Sequence, residues 1–357
     1  MTDQRVPVTL LTGFLGAGKT TLLNSVLTDS TGGRVAVIVN EFGEAGLDHD
    51  LITESTGEIV LMSSGCLCCS VRGDLARTML GLIDKRASGK LQFDRVVIET
   101  TGLADPGPIV QTLVNDRDLK RTTRLDGVVT IADAANGMTT LDTQFEAVSQ
   151  AAGADVIILS KTDVVEPEAV AAIETRLRGL NPTAPIVRAI RGENAHQHMW
   201  GLSGVRNGVT QTEALDWLQM PKPTPSDPLQ NLSGLAPKSA DSASFSPHDN
   251  RIRSASIVLD KPLEGHVLDD WLTDFVALRG PNLLRVKGLV FLQGIEAPFV
   301  FHGVQHIFDD PVPIKDWDQN DQTSRIIIIA RDMSENRLRR CLKPLSKDAE
   351  IAVTNAG

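Results

Sequence analysis

A glycine-rich segment near the N-terminus has the residue types and the spacing of a phosphate-binding loop. Within V-P-V-T-L-L-T-G-F-L-G-A-G-K-T-T, the pattern G-x-x-x-x-G-K-[ST] is matched by Gly13, Gly18, Lys19 and Thr20. Glycines, Gly16 among them, let successive backbone N–H groups face a polyphosphate, while the lysine reaches the outer phosphates and the threonine hydroxyl binds Mg²⁺. A strand-like run precedes the loop and a helix-like segment follows it, so the segment predicts a site for a nucleoside triphosphate.

An acid and a glycine end a later apolar run in the way that nucleotide hydrolysis requires. The run F-D-R-V-V-I-E-T-T-G carries Glu99 and Gly102 to the sheet edge where the phosphate loop is expected. A carboxylate there polarises Mg²⁺ or its bound water, and the glycine lets a backbone N–H meet the γ-phosphate. Lys19 and Glu99 are therefore the predicted catalytic residues, although Glu99 is also compatible with an ordinary strand-terminal acid. Leu103 stands where a water-positioning glutamine is found in Ras-like enzymes, so slow intrinsic turnover is expected.

A second loop follows its strand as the guanine-reading pattern N-K-x-D does, and it consists of Ser160, Lys161, Thr162 and Asp163. The aspartate carboxylate accepts hydrogen bonds from the N1 and N2 hydrogens of guanine, and the lysine stem covers the face of the base. Serine replaces asparagine at the first position, and its shorter hydroxyl predicts weaker support of the base or of the phosphate loop. The loop favours guanine over adenine.

Three cysteines lie close together in S-S-G-C-L-C-C-S, at Cys66, Cys68 and Cys69. This spacing strains a disulfide between any two of them, whereas thiolates in a loop can converge on one soft ion such as Zn²⁺ or Co²⁺. Three thiolates do not complete the four-coordinate shell of Zn²⁺, so Glu41 and Glu44 of the acidic loop N-E-F-G-E are candidate further ligands. A buried cluster of small apolar side chains and a redox switch are the alternatives for the cysteines, and solvated loop acids for the glutamates.

Short apolar runs alternate with helical segments from Val6 to Ile190, and this alternation positions the candidate residues. After the first run, the predicted strands are Arg34–Asn40, a strand from Glu58, Phe93–Gly102, Asp126–Asp133, Asp155–Asp163 and Pro185–Ile190. One predicted helix follows the phosphate loop, and another carries Leu75, Met79 and Leu82 on one face. The pattern predicts an α/β fold with a doubly wound, mostly parallel sheet, whose carboxyl edge collects the loops.

The composition changes after Met220 and divides the chain. Residues 1–220 form the predicted P-loop domain, and residues 221–250, rich in Pro, Ser, Asp and Asn, form a predicted flexible linker. Residues 251–346 return to strand and helix patterns and predict a small α+β domain, after which residues 347–357 are left as a tail.

The overall composition narrows the class of partner. The chain has 357 residues, 41% of them hydrophobic, and a formal net charge of −10, which disfavours binding to nucleic acid or to an anionic membrane. The apolar runs are shorter than the ~20 residues that a bilayer requires, and the N-terminus lacks a signal-peptide core, so a cytoplasmic location is expected. Small ligands and proteins are the expected partners. Cys341 is expected to pack on a helix face. The pairs His196/His198 and His302/His306 are expected to be packed or solvated, with a weak accessory role in metal binding as the alternative.

Together these motifs resemble the CobW family of GTP-dependent metallochaperones, relatives of the nickel-inserting GTPases that serve urease and hydrogenase. The resemblance rests on G-F-L-G-A-G-K-T-T, N-E-F-G-E-A-G-L-D, G-C-L-C-C-S, V-V-I-E-T-T-G-L-A-D-P and S-K-T-D, with R-V-K-G and H-G-V-Q in the C-terminal part. The C-x-C-C segment is the most specific of them. The linker contains the single histidine His248 and so departs from the His-rich tract of many members.

The resemblance implies a GTPase domain followed by a CobW C-terminal domain. It implies that Thr20 and Glu99 serve Mg²⁺ and that Lys161 and Asp163 read guanine. It also implies that the three cysteines, with a glutamate of the acidic loop, hold the transferred metal. The residues that it implies around the phosphates are Gly16, Ala17, Gly18, Lys19, Thr20 and Thr21.

The resulting hypothesis is a metallochaperone that hydrolyses GTP and couples the nucleotide state to delivery of a transition metal, zinc first, to a client metalloprotein. Its ligands are then GTP, Mg²⁺ and Zn²⁺ or Co²⁺. Cobalt delivery for cobalamin synthesis, nitrile hydratase activation, and a metal- or redox-sensing protein without chaperone activity are alternatives. An ATP-using kinase is another, and it predicts that Asp163→Ala leaves base preference unchanged.

Overall fold

A computed structural model describes residues 4–28, 33–41, 58–63, 71–193, 195–203, 210–218, 249–305, 307–308, 311–315, 317–318, 321–346 and 351–355. Two β-sheets organise these residues, and one is parallel while the other is antiparallel. Among the described helices, none combines the length and the apolar character that crossing a bilayer requires.

Strands and helices alternate through the first part of the chain, as the sequence pattern predicts. The strands are β1 (Val6–Gly13), β2 (Val35–Glu41), β3 (Glu58–Ser63), β4 (Arg95–Thr100), β5 (Thr123–Asp133), β6 (Val156–Ser160) and β7 (Ile186–Ala189). The helices are α1 (Lys19–Thr28), α2 (Val71–Ala87), α3 (Gly107–Asn115), α4 (Arg117–Thr122), α5 (Gly137–Thr143), α6 (Phe145–Gly153), α7 (Pro167–Leu180) and α8 (Gln211–Leu218).

These strands form one sheet in the order β3-β2-β4-β1-β5-β6-β7, and each pairing is parallel. Parallel neighbours need crossover connections, which helices such as α1 and α2 provide. Because β1 lies between β4 and β5, the loops that follow these three strands lie side by side at the carboxyl edge. The predicted doubly wound parallel sheet is confirmed.

Helices cover both faces of this sheet, because successive side chains along a buried strand point to opposite faces. On one face, Val37 and Val97 belong to the same apolar cluster as the buried side of α1. On the other face, Leu75, Met79 and Leu82 of α2 are buried against the sheet, as their spacing predicts.

The second sheet is antiparallel and has the order β11-β10-β9-β13-β8-β14, with β12 paired to β10. Helices α9 and α10 pack on it through Trp271, Phe275 and Leu338, together with the partly buried Cys341. The predicted small α+β domain is confirmed, as is the packing of Cys341. The elements are β8 (Ile252–Leu259), α9 (Gly265–Arg279), β9 (Leu283–Val290), β10 (Phe299–Val304), β11 (Ile307–Phe308), β12 (Val312–Pro313), β13 (Ser324–Arg331), α10 (Glu335–Leu342) and β14 (Ile351–Asn355).

Strand β14 lies in the segment that the sequence analysis leaves as a tail. It pairs antiparallel with β8, from Ile351 opposite Ile257 to Asn355 opposite Arg253. Its five residues are too few to show a clear strand pattern in the sequence. Its strand conformation depends on pairing with β8, which lies more than ninety residues earlier in the chain.

The two sheets are joined by shared apolar packing. Val304 and Ile307, around the β10–β11 turn, lie in one cluster with Ile109 and Leu113 of α3. Residues of β8, β9 and β13 likewise pack with α6 and α7. The C-terminal domain therefore rests on the helices of the first domain, including the helix that follows the β4 loop.

Candidate functional site

The phosphate loop connects the end of β1 to the start of α1, so its glycines lie between a buried strand and a helix N-terminus. Gly13, Gly16 and Gly18 have φ angles of +144°, +74° and +104°, a region that side chains with a Cβ rarely adopt. At Gly13 a Cβ would also lie 2.5 Å from the Ile131 carbonyl oxygen. The loop therefore needs glycine, and its backbone N–H groups are arranged at the positive end of α1.

Lys19 lies folded over this loop. Its Nζ donates to the carbonyl oxygens of Gly13 at 3.0 Å and Phe14 at 3.3 Å. Thr20 and Thr21 follow in the first turn of α1, with Thr20 partly buried and Thr21 exposed. The ammonium group is thus placed at the loop, as the predicted contact with the outer phosphates requires.

Glu99 and Gly102 lie beside the phosphate loop. Glu99 is the next-to-last residue of β4, opposite Leu11 of β1, and is 8% exposed. A Cβ on Gly102 would lie 2.6 Å from the backbone nitrogen of Leu15, so the loop after β4 touches the phosphate loop. The hydroxyl of Thr20 and the carboxylate of Glu99 are oxygen donors of the kind Mg²⁺ prefers, and this donor set fits that ion.

The guanine-type loop is tied directly to the phosphate loop. The Ser160 hydroxyl lies 2.6 Å from the Ala17 carbonyl oxygen, to which it donates, and 3.2 Å from the Ala132 carbonyl oxygen. The serine therefore contacts the phosphate loop directly. Weaker support than asparagine would give stays a prediction. Asp163 is exposed at the same edge, where a base would approach.

Asp133, which the sequence analysis did not single out, holds Lys161. Lys161 has a left-handed backbone with φ +57°, and its Nζ donates to Asp133 Oδ2 at 2.7 Å. Asp133 also accepts from the Ala135 nitrogen at 2.7 Å and from both nitrogens of Asn136. Burial raises the pKa of Asp133, but these hydrogen bonds outweigh it and lower the pKa. The sequence does contain a signal for Asp133, namely an acid at the end of an apolar run. Asp133 ends the run D-G-V-V-T-I-A-D in the same way that Glu99 ends the run R-V-V-I-E.

A cavity of about 170 Å³ adjoins both loops. Phe14 and the backbone up to Ala17 form one wall, and Asp133 and Lys161 form part of another. Residues of β5, α5, α6 and α7 form the rest of the lining, most of them apolar. A mostly apolar recess with a few polar groups is the usual form of a small-molecule site, and here it lies between the loops predicted to hold phosphates and base.

The predicted metal ligands fall largely outside the described residues. Cys66, Cys68, Cys69 and Glu44 belong to segments that the structure does not describe. Glu41 is the last residue of β2 and pairs with Ser63, the last residue of β3. Within the described part of the chain, His, Cys, Asp and Glu form no group of three or more arranged to hold a metal ion.

Two of the histidines illustrate the two expected placements, since His302 is packed and His198 is exposed. His302 is buried in β10, where its Nδ1 lies 3.0 Å from Arg285 Nη2. His306 lies outside the described residues, and His196 and His198 form a single helical turn after β7.

Comparison with known proteins decides the family. The model of the CobW/HypB/UreG nucleotide-binding domain matches residues 7–188, and that of the cobalamin synthesis protein cobW C-terminal domain matches residues 252–345. The chain belongs to the CobW/HypB/UreG family. The predicted resemblance is thereby confirmed, and the loops described above lie in a nucleotide-binding domain of this CobW-family chain.

One relative and one solved structure match this CobW-family chain along most of its length, and a second relative matches about half of it. The zinc chaperone YjiA of Escherichia coli (strain K12) is 34% identical, over 96% of this chain and 99% of that protein. The Zn(II)-bound YjiA GTPase structure from E. coli has a TM-score of 0.65 at 30% identity, covering 96% of this chain and 99% of that one. The zinc-regulated GTPase metalloprotein activator 1 of Schizosaccharomyces pombe is 41% identical over 52% of this chain and 46% of its own length.

Proposed function

We propose that this chain binds and hydrolyses GTP and uses the nucleotide state to deliver zinc to a client metalloprotein. Full-length and partial relatives carry the names zinc chaperone and zinc-regulated GTPase metalloprotein activator. The observation that carries the proposal is the direct hydrogen bond from Ser160 to Ala17, which joins a complete phosphate loop to a guanine-type loop.

Guanine selection rests on Asp163 and Lys161. Asp163 is exposed where its carboxylate can accept both hydrogens of the guanine edge. Asp133 fixes the ammonium end of Lys161, so the aliphatic stem is held in one place to cover the base. Adenine would leave the Asp163 carboxylate without its donors, and that loss provides the discrimination.

Hydrolysis rests on the residues around the phosphates. The loop N–H groups and Lys19 would stabilise the charge that spreads over the phosphate oxygens, and the Gly102 N–H would donate to the outer phosphate. The contact between Gly102 and Leu15 of the phosphate loop supports this role. Thr20 and Glu99 would hold Mg²⁺, which would neutralise part of the charge on the phosphates. Leu103 offers no group to orient water, so the rate is expected to be low without a partner.

Zinc binding is assigned to Cys66, Cys68 and Cys69, with Glu41 or Glu44 completing the ligand set. The support is the position of the flanking strands. Glu41 and Ser63 end adjacent strands at the carboxyl edge, and the first cysteine follows Ser63 by three residues. β2 also pairs with β4, which carries Glu99, so the metal segment begins at the nucleotide edge. Nucleotide-dependent ordering of this edge is the proposed link between hydrolysis and metal release.

Nucleotide preference tests the first half of the proposal. Titration calorimetry with GDP and ADP is expected to show a GDP preference in the wild type that Asp163→Ala abolishes. Asp84→Ala, which removes an exposed acid on α2, is the matched control and keeps the preference. Equal affinities for GDP and ADP in the wild type would refute guanine selection.

Metal content tests the second half. The purified wild type is expected to bind one zinc ion per chain, and the double variant Cys68→Ala/Cys69→Ala to lose it. Cys341→Ala is the matched control, because that residue of α10 packs in the C-terminal domain and takes no part in the proposed site. Zinc retained by the double variant would refute the assignment.

A further inference from the structure

Two C-terminal motifs, R-V-K-G and H-G-V-Q, take no part in the nucleotide or metal chemistry described above. They lie on the neighbouring strands β9 and β10, where Lys287 is directly opposite His302. Their long polar side chains point away from solvent, since Arg285, Lys287 and His302 are each 1% exposed. Such burial requires partners. His302 contacts Arg285 of the same sheet, whereas Arg285 and Lys287 have partners in the first domain.

The buried cations fasten β9 to the first domain. Arg285 is paired with Asp155, the residue just before β6, whose other oxygen accepts from the Val128 nitrogen at 3.0 Å. Lys287 Nζ donates to the carbonyl oxygens of Trp217 at 2.9 Å and Thr183 at 3.3 Å. These contacts fix the position of β9, and therefore of its neighbour β10, relative to the parallel sheet.

The last residue of the second motif reaches the loop after β4. Gln305 follows β10 with a left-handed backbone, φ +56°, and its Nε2 donates to Asp105 at 2.9 Å and 3.1 Å from the two carboxylate oxygens. Asp105 Oδ1 also accepts from the Gly107 nitrogen at 2.9 Å, at the start of α3. A Cβ on Gly107 would collide with the Gln305 carboxamide, so the close approach depends on glycine there.

The same loop is held from the other side by the first domain. Gln150 of α6 is 1% exposed, and its Nε2 donates to the carbonyl oxygens of Ala104 at 3.0 Å and Gly102 at 3.3 Å. Gly102 in turn lies against Leu15 of the phosphate loop. Two glutamines, one from each domain, thus contact the short segment that carries Gly102, the predicted γ-phosphate contact.

We propose that Gln305 is a positioning residue for GTP hydrolysis: from the C-terminal sheet it holds Asp105, and through that carboxylate it fixes the Gly102 backbone N–H relative to the γ-phosphate. The inference rests on the proposed GTPase function. It assigns the C-terminal domain a role in the hydrolysis step itself, and it implies that movement of this domain, for example on contact with a client, changes the rate. Coupling of this kind acts in both directions.

A swapped-pair experiment tests the inference. Gln305→Glu sets two carboxylates against each other and is expected to lower single-turnover GTP hydrolysis by about tenfold to a hundredfold, with the affinity for GDP within about twofold of wild type. Adding Asp105→Asn restores an amide–carboxylate pair with donor and acceptor exchanged, and the new amide oxygen still accepts from the Gly107 nitrogen. The double variant is therefore expected to recover most of the rate.

The matched control is Gln293→Glu, since Gln293 is an exposed glutamine of the same domain whose Nε2 lies near the Pro262 carbonyl oxygen. It is expected to hydrolyse GTP as the wild type does. A normal rate in Gln305→Glu, or a rate that Asp105→Asn fails to restore, would overturn the inference.

Two further results separate the possible failures. If Gln305→Glu does not fold, Gln305→Met removes the hydrogen bonds without adding charge and must show the same selective loss of rate with GDP affinity kept. If the wild type neither binds nor hydrolyses GTP, the proposed function itself fails, which is a different outcome from an unchanged rate in the variant.

Discussion

Lys161 and Lys287 occupy opposite surroundings in the same molecule. The Lys161 side chain is 39% exposed at the carboxyl edge of the parallel sheet and is paired with Asp133 at 2.7 Å. Lys287 is 1% exposed between the two sheets, where it donates to two backbone carbonyl oxygens and lies 4.9 Å from the centre of the Trp217 ring. Burial lowers the pKa of Lys287 to about 7, with Asp155 opposing the shift and Arg285 adding to it.

This difference in exposure matches two different roles: ligand binding at the carboxyl edge and attachment of the C-terminal domain between the sheets. At the carboxyl edge a cation stays partly hydrated, so a nucleotide can approach it without the protein unfolding locally. Between the sheets the cations are removed from water, and each must keep a permanent partner. Variants at the edge should therefore change ligand affinity, whereas variants between the sheets should change stability.

The largest effect on stability is expected when Arg285 loses its buried partner. Asp155→Ala leaves a guanidinium buried without its carboxylate and is expected to lower the free energy of unfolding by about 3–5 kcal/mol, measured by urea denaturation. Asp332→Asn is the matched control, because its pair with Arg251 is about 40% exposed on both sides and contributes less than about 1 kcal/mol. Asparagine also tolerates the left-handed backbone of this position, φ +54°. Equal losses in the two variants would remove the distinction between the two regions.

Lys19→Ala is expected to lower the affinity for GTP and not the stability of the fold. Loss of the ammonium at the phosphate loop should weaken GTP binding by about 100-fold, measured by calorimetry, with the thermal midpoint unchanged. The exposed Lys315→Ala should leave binding as it is. A Lys19→Ala protein that binds GTP normally would contradict the assignment of this loop.

Lys287 predicts a dependence of stability on pH. In the unfolded chain the lysine keeps its ordinary pKa of 10.5, so between about pH 7 and 10 it is protonated unfolded and mostly neutral folded. Stability then rises with pH, by up to about 1.4 kcal/mol per unit, and is flat below pH 7 for this group. Urea denaturation at pH 8 and 9 should show that the free energy of unfolding rises more with pH in the wild type than in Lys287→Met. The control Lys261→Met, at an exposed site, should show the same rise as the wild type.

The smallest effect is expected at Asp133. Asp133→Asn keeps an acceptor for the backbone nitrogens of Ala135 and Asn136 but removes the charge that holds Lys161. The affinity for GDP is expected to fall about tenfold while that for ADP changes little. An equal fall for both nucleotides would show that Asp133 supports the loop as a whole and not the reading of the base.

The nucleotide edge could be predicted from sequence because its signals are local. The phosphate loop lies within nine residues, Glu99 ends its own strand, and the alternation of strands and helices requires a parallel sheet. The assignment of the cysteines as metal ligands stays a prediction from their spacing, because they lie outside the described residues. Asp133 ends a strand in the same way, but its partner Lys161 lies 28 residues away, and only the pairing of β5 with β6 brings them together.

The attachment of the C-terminal domain could not be predicted in this way. Arg285 and Asp155 are 130 residues apart, and Gln305 and Asp105 are 200 residues apart. The motifs R-V-K-G and H-G-V-Q are visible in the sequence, but no local rule of helix or strand formation indicates what an arginine or glutamine in them will contact. The docking of two separately formed sheets determines that, and it also explains why a lysine in a strand is fully buried.

The central claim is that nucleotide and metal are linked at one edge of the sheet, and zinc affinity tests it most directly. The dissociation constant for zinc is measured by chelator competition on the full chain with Mg²⁺ and either GDP or a non-hydrolysable GTP analogue. The proposed function predicts at least a tenfold tighter constant with the analogue, about 1.4 kcal/mol of coupling, and loss of tight binding in Cys68→Ala/Cys69→Ala. Equal zinc affinities in the two nucleotide states would contradict the claim.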